Sequence, residues 1–117
     1  MILIADSGST KTNWCLVDEQ SVSAVRQCQT SGINPFYQDK RTIHSLLERE
    51  FTIPLQERVC LYFYGAGCSG DTARAIVYEP LKTYFNPVNL SGESDLMAAA
   101  RSLCQHCEGI ACIMGTG

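Results

Sequence analysis

Apolar and polar residues alternate over three short segments at the start of the chain, residues 1–6, 13–18 and 22–30. Alternation with a period of two is typical of strands that bury one face. Few residues separate the three segments, so consecutive strands are expected to be antiparallel and joined by tight turns. The pattern therefore predicts a three-stranded meander.

From Asp39 onward the apolar spacing changes to that of a helix. Asp39 is suited to cap the start of this helix, and Pro54 is expected to end it. Residues 30–39 contain Gly, Asn and Pro, and they are predicted to form the loop that precedes the helix. The apolar positions at helical spacing are Ile43, Leu46, Leu47 and Phe51.

The rest of the chain alternates between strands and helices. Strands are predicted at residues 59–64, 88–90 and 110–114, and Pro80 is expected to bend or split the second helix. The order βββαβαβαβ predicts one α/β domain over residues 1–117, with a mixed sheet and helices on its faces. The second helix has apolar Ala73, Ile76, Val77, Leu81 and Tyr84, and the third has Leu96, Met97, Ala100, Leu103 and Cys104.

Composition limits the classes of partner. The 117 residues carry a net charge of −3 and no run of Lys or Arg, so no nucleic-acid partner is expected. No segment approaches the ~20 apolar residues of a membrane helix, and the first residues lack the features of a signal peptide. A cytoplasmic protein without a membrane partner is therefore predicted. The seven cysteines are then expected to be free thiols, Cys104 and Cys107 included.

Two glycine-containing turns compete for the role of a nucleotide site. Gly65, Gly67 and Gly70 match the GxGxxG pattern of dinucleotide-binding proteins, between a predicted strand and a predicted helix. In those proteins the pattern belongs to the first βα turn of a doubly wound sheet, whereas here a meander precedes it. We therefore favour a glycine-rich turn beside a site, and nicotinamide binding stays an alternative.

The other turn, residues 6–12, places one acid beside small hydroxylated residues. Backbone N–H groups of a Gly/Ser turn form a concavity that binds anions, and Lys11 adds a positive charge. Asp6 would repel a bare phosphate but would hold a hydrated Mg²⁺ that neutralises it. This pattern is typical of a metal–nucleotide site, although an ordinary hairpin capped by Asp6 remains an alternative.

The last third of the chain adds a second small-residue turn and another acid. Gly115, Thr116 and Gly117 follow a predicted strand, so two such turns are expected to hold one triphosphate from both sides. Asp95 follows the short strand that ends at Leu90, and its carboxylate is suited to accept a proton from a substrate hydroxyl. Its alternative role is that of a helix cap.

Five segments together resemble a known family: IADSGSTKTNWCLVD, SGINPF, YGAGCSGD, SGESDLMAAA and IACIMGTG. In this order they are similar to the N-terminal domain of the BadF/BadG-type ATPase and N-acetylglucosamine kinase family. That family belongs to the actin, hexokinase and Hsp70 superfamily, so the resemblance implies the ribonuclease-H-like fold. It also implies a C-terminal adenosine-binding domain outside these 117 residues, and the isolated segment is then expected to be inactive.

The resemblance also implies roles for individual residues. Asp6 would coordinate Mg²⁺, Asn34 would contact the sugar, and Asp95 would be the catalytic base that also binds the acceptor hydroxyl. Two segments depart from the family pattern. Residues 6–9 read Asp-Ser-Gly-Ser where Asp-Gly-Gly-Gly is commoner, and Asn34 is followed by Pro35-Phe36 where the mammalian kinase has His-Trp. The residues expected to contact the phosphates of ATP are Gly8, Ser9, Thr10, Lys11 and Thr12, with Gly115, Thr116 and Gly117.

The activity implied by the resemblance is ATP-dependent phosphoryl transfer to a sugar hydroxyl, with ATP and Mg²⁺ as cofactors and a small sugar as substrate. The turn at Gly115 resembles the kinase branch of the family. An activator ATPase coupled to an iron–sulfur cluster and a non-catalytic sugar sensor remain alternatives. A homodimer is left open for the full-length protein.

Overall fold

The computed structural model describes residues 1–21, 23–65, 67–68 and 70–93. The third helix and the final strand expected from the sequence lie outside these residues. The elements are β1 (Ile2–Ser7), β2 (Lys11–Asp18), β3 (Ser23–Ser31), α1 (Lys40–Glu50), β4 (Cys60–Gly65), α2 (Asp71–Phe85) and β5 (Asn89–Glu93).

The five strands form one mixed sheet in the order β3-β2-β1-β4-β5. The meander predicted from alternation is confirmed, because β1 pairs antiparallel with β2 and β2 pairs antiparallel with β3. Strands β4 and β5 are parallel to β1, since a helix crosses over before each of them. The central strand β1 therefore has an antiparallel neighbour on one side and a parallel neighbour on the other.

The core lies between one face of the sheet and the two described helices. Alternate residues of the strands point into it, as the pleat requires, and α1 and α2 pack on the same face. Trp14 is buried at its centre, and its indole N–H donates to Thr30 Oγ1 at 3.0 Å. The fully buried large side chains include Trp14, Phe63, Leu3, Ile33, Ile43, Leu47, Leu61 and Leu81.

Helix α1 begins as the sequence predicts. Asp39 is its N-cap, and its Oδ1 accepts the Thr42 N–H at 2.8 Å. This bond satisfies one of the donors that a helix start leaves without a partner. The hydrogen bonds from Thr42 also hold the pKa of the Asp39 carboxyl below its usual value.

The end of α1 agrees with the prediction. The helix ends at Glu50, with Phe51 as its C-cap and Pro54 three residues further on. A proline has no N–H to donate to the carbonyl four residues earlier, which here is that of Glu50, and its ring clashes with that carbonyl. Phe51 leaves the helix with φ −75° and ψ 124°, and its ring packs edge-on against Trp14 at 5.2 Å between centroids.

Helix α2 contains Pro80 but remains one element from Asp71 to Phe85. Of the two expectations for Pro80, a bend or a split, the split is therefore wrong. A proline inside a helix removes one backbone hydrogen bond. Here Pro80 is buried beside Leu81, on the face of the helix that packs on the core. Neither α1 nor α2 has the length and apolar composition that crossing a membrane requires.

The four cysteines in the described residues form no disulfide, as expected: Cys15, Cys28, Cys60 and Cys68. Cys68 is buried, and the other three are half-buried. They behave as small core or boundary residues. The prediction for Cys104 and Cys107 falls outside the described residues.

Candidate functional site

Three connections meet at one edge of the sheet, where the parallel strands β1 and β4 end. We call them the Gly8 turn (residues 8–12, the hairpin that leads from β1 into β2), the Asn34 loop (residues 32–38, after β3) and the Gly67 turn (Gly67, Cys68 and Gly70, between β4 and α2). The Asn34 loop touches both of the others. The Gly32 N–H donates to Thr10 O at 3.0 Å, and a Cβ on Gly67 would lie 2.9 Å from Asn34 Oδ1. Ligands of open α/β sheets bind at such strand ends.

The Gly8 turn is a tight hairpin between β1 and β2. The Gly8 N–H donates to Lys11 O at 2.9 Å, so this donor is used inside the turn. Within the part of the chain that the structure describes, the N–H groups of Ser9 and Thr10 donate to no acceptor. Ser9, Thr10 and Lys11 are exposed. The donors that the turn offers to an anion are therefore those of Ser9 and Thr10, with the Lys11 ammonium beside them.

Thr12 has a different position from the other residues of this turn. Its side chain is fully buried. Its hydroxyl lies 2.8 Å from Ser7 Oγ and donates to Ser31 O at 3.1 Å. Thr12 therefore lies on the face of the sheet that carries the helices, where its hydroxyl stabilises the turn.

Asp6 lies on the opposite face of β1, because neighbouring residues of a strand alternate between faces. It is exposed, and it is paired across the sheet with Asn13 on one side and Tyr64 on the other. Asn13 Oδ1 in turn accepts the Gln29 amide at 2.9 Å. A row of polar side chains therefore crosses three strands directly beside the Gly8 turn.

The chemistry of this position fits a hydrated magnesium ion. Among the described residues, no group of three or more His, Cys, Asp and Glu side chains could enclose a metal. Mg²⁺ usually keeps several waters and is held by one or two carboxylates together with substrate phosphates. Asp6 beside a turn with accessible N–H groups meets this requirement.

The Asn34 loop is braced by its own side chains. Asn34 Oδ1 accepts the Phe36 N–H at 2.9 Å, and the Asn34 N–H donates to Gln38 Oε1 at 2.8 Å. Gln38 Nε2 donates to Gly32 O at 3.0 Å, so one amide side chain joins both ends of the loop. Among the described residues, the Asn34 side-chain nitrogen has no acceptor. That donor is therefore available to a ligand.

Two aromatic side chains that follow Asn34 in the chain are exposed to solvent. Phe36 is 73% exposed and Tyr37 is 84% exposed. Two exposed aromatic residues next to a polar side chain are accessible to a ligand that carries both apolar and polar groups. The sequence predicted a loop here, but its composition gave no indication of which side chains would face outward.

The Gly67 turn is explained by packing against the Asn34 loop. Gly67 has φ +74°, and a Cβ there would lie 2.8 Å from the Phe36 ring and 2.9 Å from Asn34 Oδ1. In the dinucleotide pattern the second glycine makes room for the pyrophosphate. Here that room is filled by protein side chains. This contact favours the glycine-rich turn beside a site over the nicotinamide alternative.

Glu50 anchors the end of β3 directly before the Asn34 loop. The Ser31 N–H and hydroxyl both donate to Glu50 Oε1 at 2.9 Å. These bonds, with a smaller contribution from Arg49, hold the pKa of the Glu50 carboxyl below its usual value. Because β3 is an edge strand, this N–H has no neighbouring strand as partner, and the carboxylate takes that place.

The Gly8 turn and the Asn34 loop are in contact, and Asp6 lies two residues before Gly8 at the end of β1. Asp95, Gly115, Thr116 and Gly117 lie outside the described residues. Sequence reasoning missed Ser7, Gly32 and Gln38, which hold the loops in place. For Ser7 there was one signal, a serine where the resembling family more often has glycine.

Comparison with known proteins finds 16 chains of solved structures that match this chain. No family model matches the chain, and no curated protein matches it. A crystal structure of the "putative N-acetylglucosamine kinase" from Porphyromonas gingivalis is similar, with a TM-score of 0.78 and 38% sequence identity. The similarity covers 90% of this chain and 38% of that one. The present chain therefore spans well under half of the length of that protein.

The fold predicted from the sequence is confirmed by this match. The five-stranded mixed sheet with its helices is a ribonuclease-H-like, actin-like α/β fold. The chain is accordingly similar, in both sequence and fold, to a protein described as a sugar kinase.

Proposed function

We propose that the complete polypeptide containing this chain transfers the terminal phosphoryl group of ATP to a hydroxyl of an amino sugar, in the manner of an N-acetylglucosamine kinase. The similarity to a protein described by that activity supports the proposal. The joining of the Gly8 turn to the Asn34 loop at the end of β1 is the observation that carries it.

This arrangement suits a transfer between two bound molecules. Phosphoryl transfer depends mainly on positioning and on electrostatic stabilisation, because the protein contributes little covalent chemistry. A turn that binds phosphates must therefore lie at a fixed distance from the loop that binds the acceptor. The direct bond from the Gly32 N–H to Thr10 O links these two parts without an intervening element.

On the donor side, the chain offers charges and N–H groups to the phosphates. The Ser9 and Thr10 N–H groups and the Lys11 ammonium would bind the phosphate oxygens. Asp6 would hold Mg²⁺ through its water shell. When bound, Mg²⁺ supplies positive charge that neutralises the phosphates. Thr12 belongs to this loop in the proposal, and its buried hydroxyl supports the turn.

On the acceptor side, Asn34 would donate its side-chain N–H to the sugar, beside the exposed rings of Phe36 and Tyr37. Asp95 would accept the proton of the attacking hydroxyl and orient it. Gly115, Thr116 and Gly117 would form the second loop around the phosphates. The BadF/BadG-type activator ATPase and the sugar sensor are not supported better by any contact described above.

A phosphorylation assay of the complete polypeptide tests the proposal. Radiolabelled ATP with Mg²⁺ is offered with a panel of hexosamines and their N-acetylated forms, and hexoses serve as the control. We expect label in an N-acetylated amino sugar and little in the hexoses. Sugar binding without any transfer would identify a sensor, and iron in the purified protein would identify an activator ATPase. Either result would overturn the kinase assignment.

A further inference from the structure

A pair of buried hydroxyl groups lies between the Gly8 turn and the Asn34 loop. Ser7 and Thr12 are both fully buried, and their side-chain oxygens are 2.8 Å apart. Ser7 Oγ accepts the Ile33 N–H at 3.0 Å and lies 3.2 Å from Ile33 O. Thr12 Oγ1 lies 3.1 Å from Ser31 O. We call Ser7 and Thr12 the hydroxyl pair.

The hydrogen bonds of the pair depend on one another, because each hydroxyl has one proton. Where Thr12 donates to Ser31 O, Ser7 donates to Thr12. Where Ser7 donates to Ile33 O, Thr12 donates to Ser7. In both arrangements the Ile33 N–H donates to Ser7. Removal of the Ser7 hydroxyl would therefore leave a buried N–H without its partner and take away one of the two links that Thr12 makes.

The hydroxyl pair lies next to residues that are expected to bind the two substrates. Ser7 is the residue between Asp6, expected to hold magnesium, and Gly8, the first residue of the turn. Ile33 directly precedes Asn34, expected to contact the sugar. A single side chain thus fixes the backbone on the donor side against the backbone on the acceptor side.

We propose that Ser7 is a positioning residue that sets the distance between the phosphate-binding turn and the sugar-binding loop. This inference rests on the proposed function. Ser7 is fully buried, so it would bind neither substrate itself. Its effect would be on alignment, and a misplacement of about 1 Å can lower a rate about 100-fold.

The test compares Ser7→Ala with Thr30→Val in the complete polypeptide. Thr30 Oγ1 is also a buried hydroxyl oxygen with a buried partner, the Trp14 indole, but it does not join the two loops. We expect Ser7→Ala to lower kcat about 10- to 100-fold while KM for ATP and for the sugar change less than about 3-fold. The kcat of Thr30→Val should stay within about 2-fold of the wild-type value, even if both substitutions lower the free energy of unfolding by similar amounts.

A second measurement does not depend on activity. Amide hydrogen exchange is followed in residues 8–12 and 32–38, with and without a non-hydrolysable ATP analogue and Mg²⁺. In the wild type, the analogue should slow exchange in both segments. In Ser7→Ala, protection by the analogue should be confined to residues 8–12, and in Thr30→Val it should reach both segments as in the wild type.

The outcomes separate the two proposals. A wild type that phosphorylates no sugar overturns the proposed function, and the exchange experiment still decides on the link between the loops. If Ser7→Ala matches Thr30→Val in kcat and in exchange, the positioning role is wrong. If Ser7→Ala does not fold, Thr12→Val replaces it, because it removes the partner hydroxyl at constant shape. A kcat no lower than that of Thr30→Val would then overturn the inference.

Discussion

Gly32 and Gly8 are in direct backbone contact: a Cβ at Gly32 would lie 2.5 Å from Gly8 O. It would also lie 2.6 Å from Ser9 O. Real Cβ atoms do not approach other atoms so closely, and backbone oxygens inside a tight turn cannot move aside as a flexible side chain does. The loop after β3 can pack against the Gly8 turn only because residue 32 has no side chain.

The substitution Gly32→Ala should destabilise the complete protein by about 1–3 kcal/mol, because the two connections must separate. Gly8→Ala is the matched control, since a Cβ there would meet only Lys11 O, at 3.8 Å. Urea denaturation measures both variants. Equal stability of Gly32→Ala and Gly8→Ala would contradict the close contact.

Gly67→Ala should impair the sugar site while ATP binding is retained. Its Cβ would press on Asn34 Oδ1 and on the Phe36 ring. Gly70→Ala shares the strain of a positive φ (+92°) but meets nothing within 4 Å. We expect KM for the sugar to rise several-fold more in Gly67→Ala than in Gly70→Ala, in steady-state kinetics at saturating ATP. NAD binding that Gly67→Val abolishes would instead restore the dinucleotide hypothesis.

The two acids should have separable effects in the complete enzyme. Asp95→Asn removes the proposed proton acceptor, so kcat should fall roughly 10²–10⁴-fold while nucleotide binding survives. Asp6→Asn should weaken Mg²⁺-dependent ATP binding and turnover together. Calorimetric titration with an ATP analogue and a coupled kinetic assay measure the two effects. An unchanged kcat in Asp95→Asn would show that the mechanism proposed above is wrong.

Glu50→Gln should lower stability at neutral pH and have less effect in acid. The carboxylate has a lowered pKa in the folded state, so its stabilising effect is present above its ordinary pKa of 4.5. It is lost as the pH falls below that value, through the folded pKa. We expect a difference below about 1 kcal/mol at pH 7, because the group is partly exposed.

Thermal unfolding from pH 7 to pH 3 measures this difference. Glu79→Gln is the control, because Glu79 is an exposed carboxylate whose partner is a lysine side chain, Lys40. A Glu50→Gln difference that grew as the pH fell would have the wrong sign for the proposed cause.

Local patterns predicted the elements of this fold well. Alternation located the meander strands within two residues of their ends, and Asp39 was identified as a helix cap because its effect acts within one turn. Pro54 was identified as a stop signal because a proline acts on the turn that precedes it. The contact of Phe51 with Trp14 was not predicted, because these residues are far apart in sequence.

The sequence predicted residues that could bind ligands, but not the residues that hold the loops in place. The acid and the turn at residues 6–12 are contiguous, so their chemistry could be inferred from one short segment. Ile33, whose N–H donates to Ser7, lies on the Asn34 loop, and this contact becomes visible only when three strands are in register. Gly32 was overlooked for the same reason, because the backbone atoms of Gly8 and Ser9 that leave no room for a side chain there come from another part of the chain.

The two neighbours of β1 also differ in how quickly a folding chain can reach them. Strand β2 follows β1 after one tight turn, whereas β3, α1 and their connections lie between β2 and β4 in the chain. Closing the longer loop costs more chain entropy, and parallel pairing is slow for that reason. We therefore expect the hairpin of β1 and β2, with the Gly8 turn, to form before β4 pairs with β1. The edge that holds the candidate site would then be completed after the hairpin.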